Sequence, residues 1–149
     1  MRLLRILFFF ILVIPAETVT AQPYEHALGV RAGYSSGISY KGFFRYSMNA
    51  VGLDACYNRF GLNISLMYQF HLEPFRSDRW LVYAGGGVFG GDRERVFSTG
   101  VVAVAGIEYV LRDLPLTFGL DWKPLLTVYR TLEPDMADLG LSIRYRFSL

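Results

Sequence analysis

The chain of 149 residues holds one cysteine, Cys56, and two histidines, His26 and His71. A lone thiol excludes a disulfide framework within the chain. Two histidines and a cysteine far apart in sequence make no metal-ligand cluster. Charge is also scarce: Asp, Glu, Lys and Arg make up 19% of the residues, against a usual ~25%. A net charge of +2 is too small to point to nucleic acid. No apolar run reaches the ~20 residues that a spanning helix needs. No apolar pattern recurs at three-four spacing over several turns, so helices drop out of the reading after the N-terminus. What the chain has in abundance is apolar side chains, at 52%, and aromatics, at 16%.

The N-terminus has the pattern of a processing segment. Arg2 and Arg5 precede the apolar run Ile6 to Ile14, Pro15 breaks it, and Val19-Thr20-Ala21 fits the small-residue rule at a cleavage site. Residues 1–21 are therefore expected to be a cleaved signal peptide, with one domain over 22–149. No cysteine lies near the cut, so it is not a lipoprotein signal.

From there to the end the chain alternates with period two. The segments run about Ala27 to Tyr34, Ile38 to Arg45, Ala50 to Tyr57, Leu62 to His71, Trp80 to Gly90, Gly100 to Leu111, Leu116 to Tyr129 and Asp138 to Leu149. Short turn-like clusters divide them. Asp92-Arg93-Glu94-Arg95 reads as a solvated loop within Gly91 to Thr99, and Thr131 to Met136 as the last loop. The alternation stays in phase from Leu28 through Phe44, so the first two segments could be one strand. Single-chain bacterial barrels use even strand numbers, which favours a turn at Ser35-Ser36-Gly37 and a total of eight. Pro124 cannot donate to a ladder and marks a bulge or irregular pairing.

Alternation alone leaves open which face is inside. A soluble ligand-carrying barrel puts its apolar face inward, and a membrane barrel reverses it. Three features favour the membrane. The polar face is small as well as polar (Gly29, Gly33, Gly52, Ser65, Gly106, Gly119, Gly140, Ser142), as a narrow eight-stranded barrel requires. Aromatics gather at strand ends, with Tyr34, Tyr40, Tyr57 and Tyr129 at one end. Phe44, Tyr68, Phe70, Trp80, Tyr83, Tyr109, Phe118, Tyr145 and Phe147 gather at the other. The export signal is the third. The expected fold is an all-β, eight-stranded antiparallel up-and-down transmembrane β-barrel.

The mature chain resembles the small eight-stranded outer-membrane proteins of the OmpA/OmpX type. Within them it is similar to a Gram-negative group whose function is mostly unassigned. The residues that carry the likeness are Gly106-Ile107-Glu108-Tyr109, Leu114-Pro115-Leu116, Leu120-Asp121-Trp122-Lys123-Pro124 and Arg144-Tyr145-Arg146-Phe147. The final strand also resembles the signal read by the outer-membrane assembly machinery, through Gly140, Leu141, Ile143, Tyr145, Phe147 and Leu149. It departs from that pattern in ending on Leu149 rather than an aromatic. The resemblance implies outer-membrane localisation, with lipid, lipopolysaccharide and the assembly machinery as partners. It also implies a monomer with no cofactor and no nucleic acid. A periplasmic C-terminus places the turns near Ser47, Ser77 and Asp113 in the periplasm.

Arg31, Lys41, Asp54, Glu108, Asp121, Lys123, Arg144 and Arg146 share the polar face. Charges away from water must pair, so an interior salt-bridge network that plugs the barrel is expected. Arg144 and Arg146 are expected to face Asp54, Glu108 and Asp121, and Asp121 to lie within reach of Lys123. Five basic residues against three acidic ones keep open a narrow anion or solute path. A lipid-modifying barrel enzyme is the other alternative, with His71 and Ser65 as the residues to test, although no nucleophile–base–acid set is evident. Cys56 reads as an inert buried thiol. The leading function is a non-enzymatic outer-membrane protein with a structural, surface-binding or envelope-stability role.

Overall fold

The alternation that runs in phase from Leu28 to Phe44 belongs to two strands, β1 (His26–Gly33) and β2 (Ser36–Phe43), joined at Tyr34 and Ser35. Val30 faces Ile38 and Leu28 faces Tyr40. Partners of equal parity keep the pattern in phase through the turn, which is why the sequence shows no break. At the next hairpin Leu53 faces Leu66 and Asp54 faces Ser65, so parity switches there and the break is visible.

The structure, a computed structural model, describes residues 22–77, 79–129 and 132–149. The expected signal peptide, 1–21, lies outside them. β3 (Asn49–Asn58), β4 (Gly61–Leu72), β5 (Trp80–Arg93) and β6 (Val96–Val110) follow as antiparallel neighbours. β7 (Leu116–Trp122) and β8 (Leu125–Thr127) form the seventh stave; β9 (Glu133–Asp135) and β10 (Leu139–Phe147) form the eighth. β10 pairs with β7 on one side and β1 on the other. The ring is therefore a closed, eight-stranded, antiparallel up-and-down barrel, with only the short β9 at the mouth paired on a single side, to β8. Val30, Ile143, Phe118, Tyr109 and Trp80 are successive partners around the wall. That row falls from mid-wall to a strand end, so the staves are tilted steeply to the barrel axis. One end, the base, holds His26, Phe147 and the turns at 44–48, 73–77 and 111–115. The other, the mouth, holds the turns at 34–35, 59–60 and 94–95 and the segment before β10.

Two local expectations are corrected and a third, at Pro124, is sharpened. Gly91 to Thr99 is not a loop: β5 and β6 continue to Arg93 and Val96, leaving Glu94 and Arg95 as the turn, at φ of 53° and 67°. Two successive positive φ values match the right-handed twist of a hairpin. The charges misled because a hairpin tip can be solvated on both faces and still pair. The Pro124 site is also regular toward β6, where Ala105 faces Trp122, Val102 faces Leu125, and the Pro124 carbonyl accepts from Ala103. The bulge lies opposite: the three-residue step from Trp122 to Leu125 faces a four-residue step from Asp135 to Leu139. Tyr40, grouped with the mouth aromatics, meets His26 near the base, its hydroxyl 2.8 Å from Nδ1.

The wall turns apolar side chains outward and charged ones inward. Val30 and Leu141 are 59% and 62% exposed, whereas Arg31 and Lys41 are each 1% exposed. The outward rows Ile64, Leu66, Tyr68 and Phe118, Leu120, Trp122 are exposed likewise. Inside, Tyr24, Ala27, Phe43, Ala50, Leu81 and Val110 close the base with an apolar plug. Met67, Tyr83, Phe89, Val102, Val104 and Leu125 line the β4–β5–β6–β8 wall. Tyr83, counted among the outward aromatics by its position near a strand end, is therefore an interior residue, stacked on His71 at 5.0 Å.

Candidate functional site

Between the base plug and the mouth runs a chain of charged groups, each delivered inward by strand parity. Nearest the base, Lys41 on β2 meets Glu108 on β6 at 2.7 Å. Tyr24 donates to the other Glu108 oxygen at 2.5 Å. The Lys41 ammonium also lies 3.2 Å from His71 Nε2 and 3.8 Å from the Tyr83 ring centroid. In the middle, Arg144 on β10 donates twice to Ser39 Oγ, at 2.9 and 3.0 Å. The Ser39 hydroxyl in turn donates a hydrogen bond to Asp54 Oδ1 at 2.6 Å, and Lys123 closes on the second Asp54 oxygen at 3.1 Å. Toward the mouth, Arg31 on β1 donates through Nε and Nη2 to one Asp121 oxygen at 3.1 and 2.7 Å. Its Nη1 reaches Asp138 at 2.8 Å and Ser35 Oγ at 2.6 Å.

Glycine makes room for two of these groups. A Cβ at Gly140 would stand 2.6 Å from Arg31 Nη2 and 2.8 Å from its Nε. The guanidinium lies flat over Gly140 on its way from β1 to Asp121. Gly106 does the same for Tyr83, whose Cζ would be 2.6 Å from an added Cβ. Gly140 and Gly106 are thus beds for large neighbours rather than mere fillers of a narrow lumen.

The network differs from the expected one in membership and in pairing. Arg146 leaves it. At the base its layer is taken by the apolar plug, so its guanidinium turns to the backbone carbonyls of Leu111 and Leu114 in the β6–β7 turn. Asp138 enters, 1% exposed. It shares parity with Gly140, Ser142 and Arg144, and that parity is the signal that finds it in the sequence. Asp121 and Lys123 do not pair with each other, because Arg31 and Asp54 reach them first across the barrel. Arg144 approaches Glu108 only at 3.8 Å and meets Asp54 through Ser39. Among the described residues the buried charges are now Arg31, Lys41, Lys123 and Arg144 against Asp54, Glu108, Asp121 and Asp138. Four cations balance four anions, so the excess of positive charge expected for an anion path does not exist.

Against known proteins, no protein-family model matches the chain and no curated protein matches it.

The remaining candidates are placed as follows. Leu141, Ile143 and Tyr145 are exposed along β10, Phe147 stacks on His26 at 5.5 Å, and Leu149 lies past the strand. Ser65 donates to Asn63 at 3.0 Å while His71 lies against Lys41, so each has its own partner. Cys56 is a buried free thiol. Among the described residues no three His, Cys, Asp or Glu side chains are grouped to hold a metal. A cavity of about 30 Å³ opens at the mouth beside Asn63, Phe89, Arg93 and Thr127, room for a water molecule.

Proposed function

We propose that the chain is an integral outer-membrane β-barrel protein, a monomer with a structural, surface-binding or envelope-stability role. One observation carries this reading: the barrel turns its apolar rows outward and holds a charge-balanced, paired network inward. Outward Leu, Val, Ile and aromatic rows would be costly against water, and a closed ring of strands pairs the backbone of the wall from stave to stave, as lipid demands. Buried ions that were not matched would shift or neutralise; here each carboxylate has a cation. The outward aromatics support the same orientation. The Trp80 and Tyr109 rings meet at 4.7 Å, tilted to one another, near the base, and Tyr57, Phe97 and Tyr129 lie exposed near the mouth. On this reading β10 presents Leu141, Ile143 and Tyr145 to the assembly machinery. The mouth, with Arg59, Arg93 and Arg95, faces lipopolysaccharide.

The test is fractionation with heat-modifiable gel migration. The protein should partition with the outer membrane and migrate differently before and after boiling. Recovery as a soluble periplasmic protein with one gel mobility would overturn the reading.

A further inference from the structure

Three turns close the base, and each sets an exposed arginine beside an exposed large apolar side chain. Arg45 adjoins Tyr46, 75% exposed; Arg76 adjoins Phe75, 67% exposed; Arg112 lies two residues from Leu114, 54% exposed. Arg79, also exposed, precedes Trp80. Tyr46 and Arg76 sit at φ of 58° and 50°, a conformation that turns both residues off the line of the strands. Among the described residues the side chains of Arg45, Arg76 and Arg79 meet no carboxylate within ion-pair distance. The interior cations are all engaged. At the mouth, Arg59 and Arg93 lie over the Phe60 ring at 4.7 and 4.5 Å, and Arg93 also reaches Glu133 at 3.5 Å. The acids at the mouth are Asp92, Glu94, Glu133 and Asp135; at the base the described ones are Glu25, Glu73 and Asp113.

A ring or isobutyl group carried on a turn into bulk water gains nothing from its position. In the headgroup layer its apolar body is covered, and a neighbouring arginine stem can lie along the glycerol region with its head among phosphates. We propose that the base rim is a binding surface for anionic phospholipid headgroups of the adjoining leaflet. Arg45, Arg76 and Arg79 hold the phosphates, with Tyr46, Phe75 and Leu114 as apolar anchors. The planar guanidinium suits a phosphate through two parallel hydrogen bonds. This surface rests on the membrane reading above.

The test uses the full chain refolded into vesicles of phosphatidylcholine or of an equal mixture with phosphatidylglycerol. Bound lipid is then counted by native mass spectrometry after gentle extraction. An arginine at an anionic surface gains about five-fold in attraction, so phosphatidylglycerol should be retained at least several-fold over phosphatidylcholine. The Arg45→Gln/Arg76→Gln/Arg79→Gln variant should lose that preference, and an Arg59→Gln/Arg95→Gln variant at the mouth should keep it. Equal retention of the two lipids by the parent chain would overturn the proposal, and so would a preference that survives in the base variant. Gel migration of the same samples separates the two levels. A heat-modifiable barrel without lipid preference refutes the lipid surface alone. A chain that inserts into neither bilayer refutes the membrane reading with it.

Discussion

Replacing Arg31 by methionine tests the interior network where it is most concentrated. Arg31 makes ion pairs of 2.7 Å with Asp121 and 2.8 Å with Asp138, and all three side chains are within a few per cent of complete burial. Removing one partner of a buried pair costs about 3–5 kcal/mol, because the abandoned charge stays out of water. One substitution here abandons two carboxylates, so the cost belongs at the top of that range, about 5 kcal/mol. That is as large as the whole stability of a marginal domain. The cost is mainly orphaned charge, so neutralising the orphans should recover most of it. Arg31→Met with Asp121→Asn and Asp138→Asn should regain at least half. The control is the surface pair of Arg93 and Glu133, at 3.5 Å with Glu133 half-exposed, where Glu133→Gln should cost less than about 1 kcal/mol. Urea unfolding of the vesicle-reconstituted barrel, followed by tryptophan fluorescence, measures all three. A loss under about 1 kcal/mol for Arg31→Met, or a triple variant no better than the single, would refute the reasoning.

Gly140→Ala should act on the same group from below, displacing the guanidinium that lies over it and costing about 1–3 kcal/mol in the same assay. Lys41→Met and Glu108→Gln should each destabilise strongly, yet the double variant should be milder than their sum. A double-mutant cycle with a coupling near zero would disprove the 2.7 Å contact as an energetic pair. Leu141→Arg should lower stability by about 2–4 kcal/mol if that row meets the hydrocarbon, whereas Leu149→Arg, past the strand, should change little; equal effects would count against a lipid-facing β10. Cys56, 2% exposed, should resist a polar maleimide in the folded barrel and react after boiling.

Most of this architecture is legible in the period-two parity of the sequence. Arg31, Lys41, Asp54, Glu108, Asp121, Lys123 and Arg144 all stand on the face that the period-two pattern gives them. Parity failed where something other than the pleat sets direction. Arg146 has the right parity but the wrong depth, since the layer at the base is filled by Tyr24 and Phe43. Tyr83 looks like a girdle residue by its place in the strand, yet Gly106 opposite leaves the hollow that its ring occupies. Pro124 does mark a place of irregular pairing, but the extra residue of the bulge sits across the ladder, between Asp135 and Leu139. Partner choice was the least legible property. Asp121 and Lys123 are two residues apart on one stave, and only the stagger of the closed ring decides that they bind Arg31 and Asp54 instead.

The most direct test of the account is an accessibility scan along β10 in the reconstituted barrel, on a Cys56→Ser background. Single cysteines at Leu139, Leu141, Ile143 and Tyr145 and at Ser142 and Arg144 would carry a nitroxide. Its relaxation would be compared with a lipid-soluble and a water-soluble quencher. The account predicts a period of two, with 139, 141, 143 and 145 open to the lipid-soluble quencher and 142 and 144 shielded from both. Odd positions quenched from water, or no alternation at all, would contradict it.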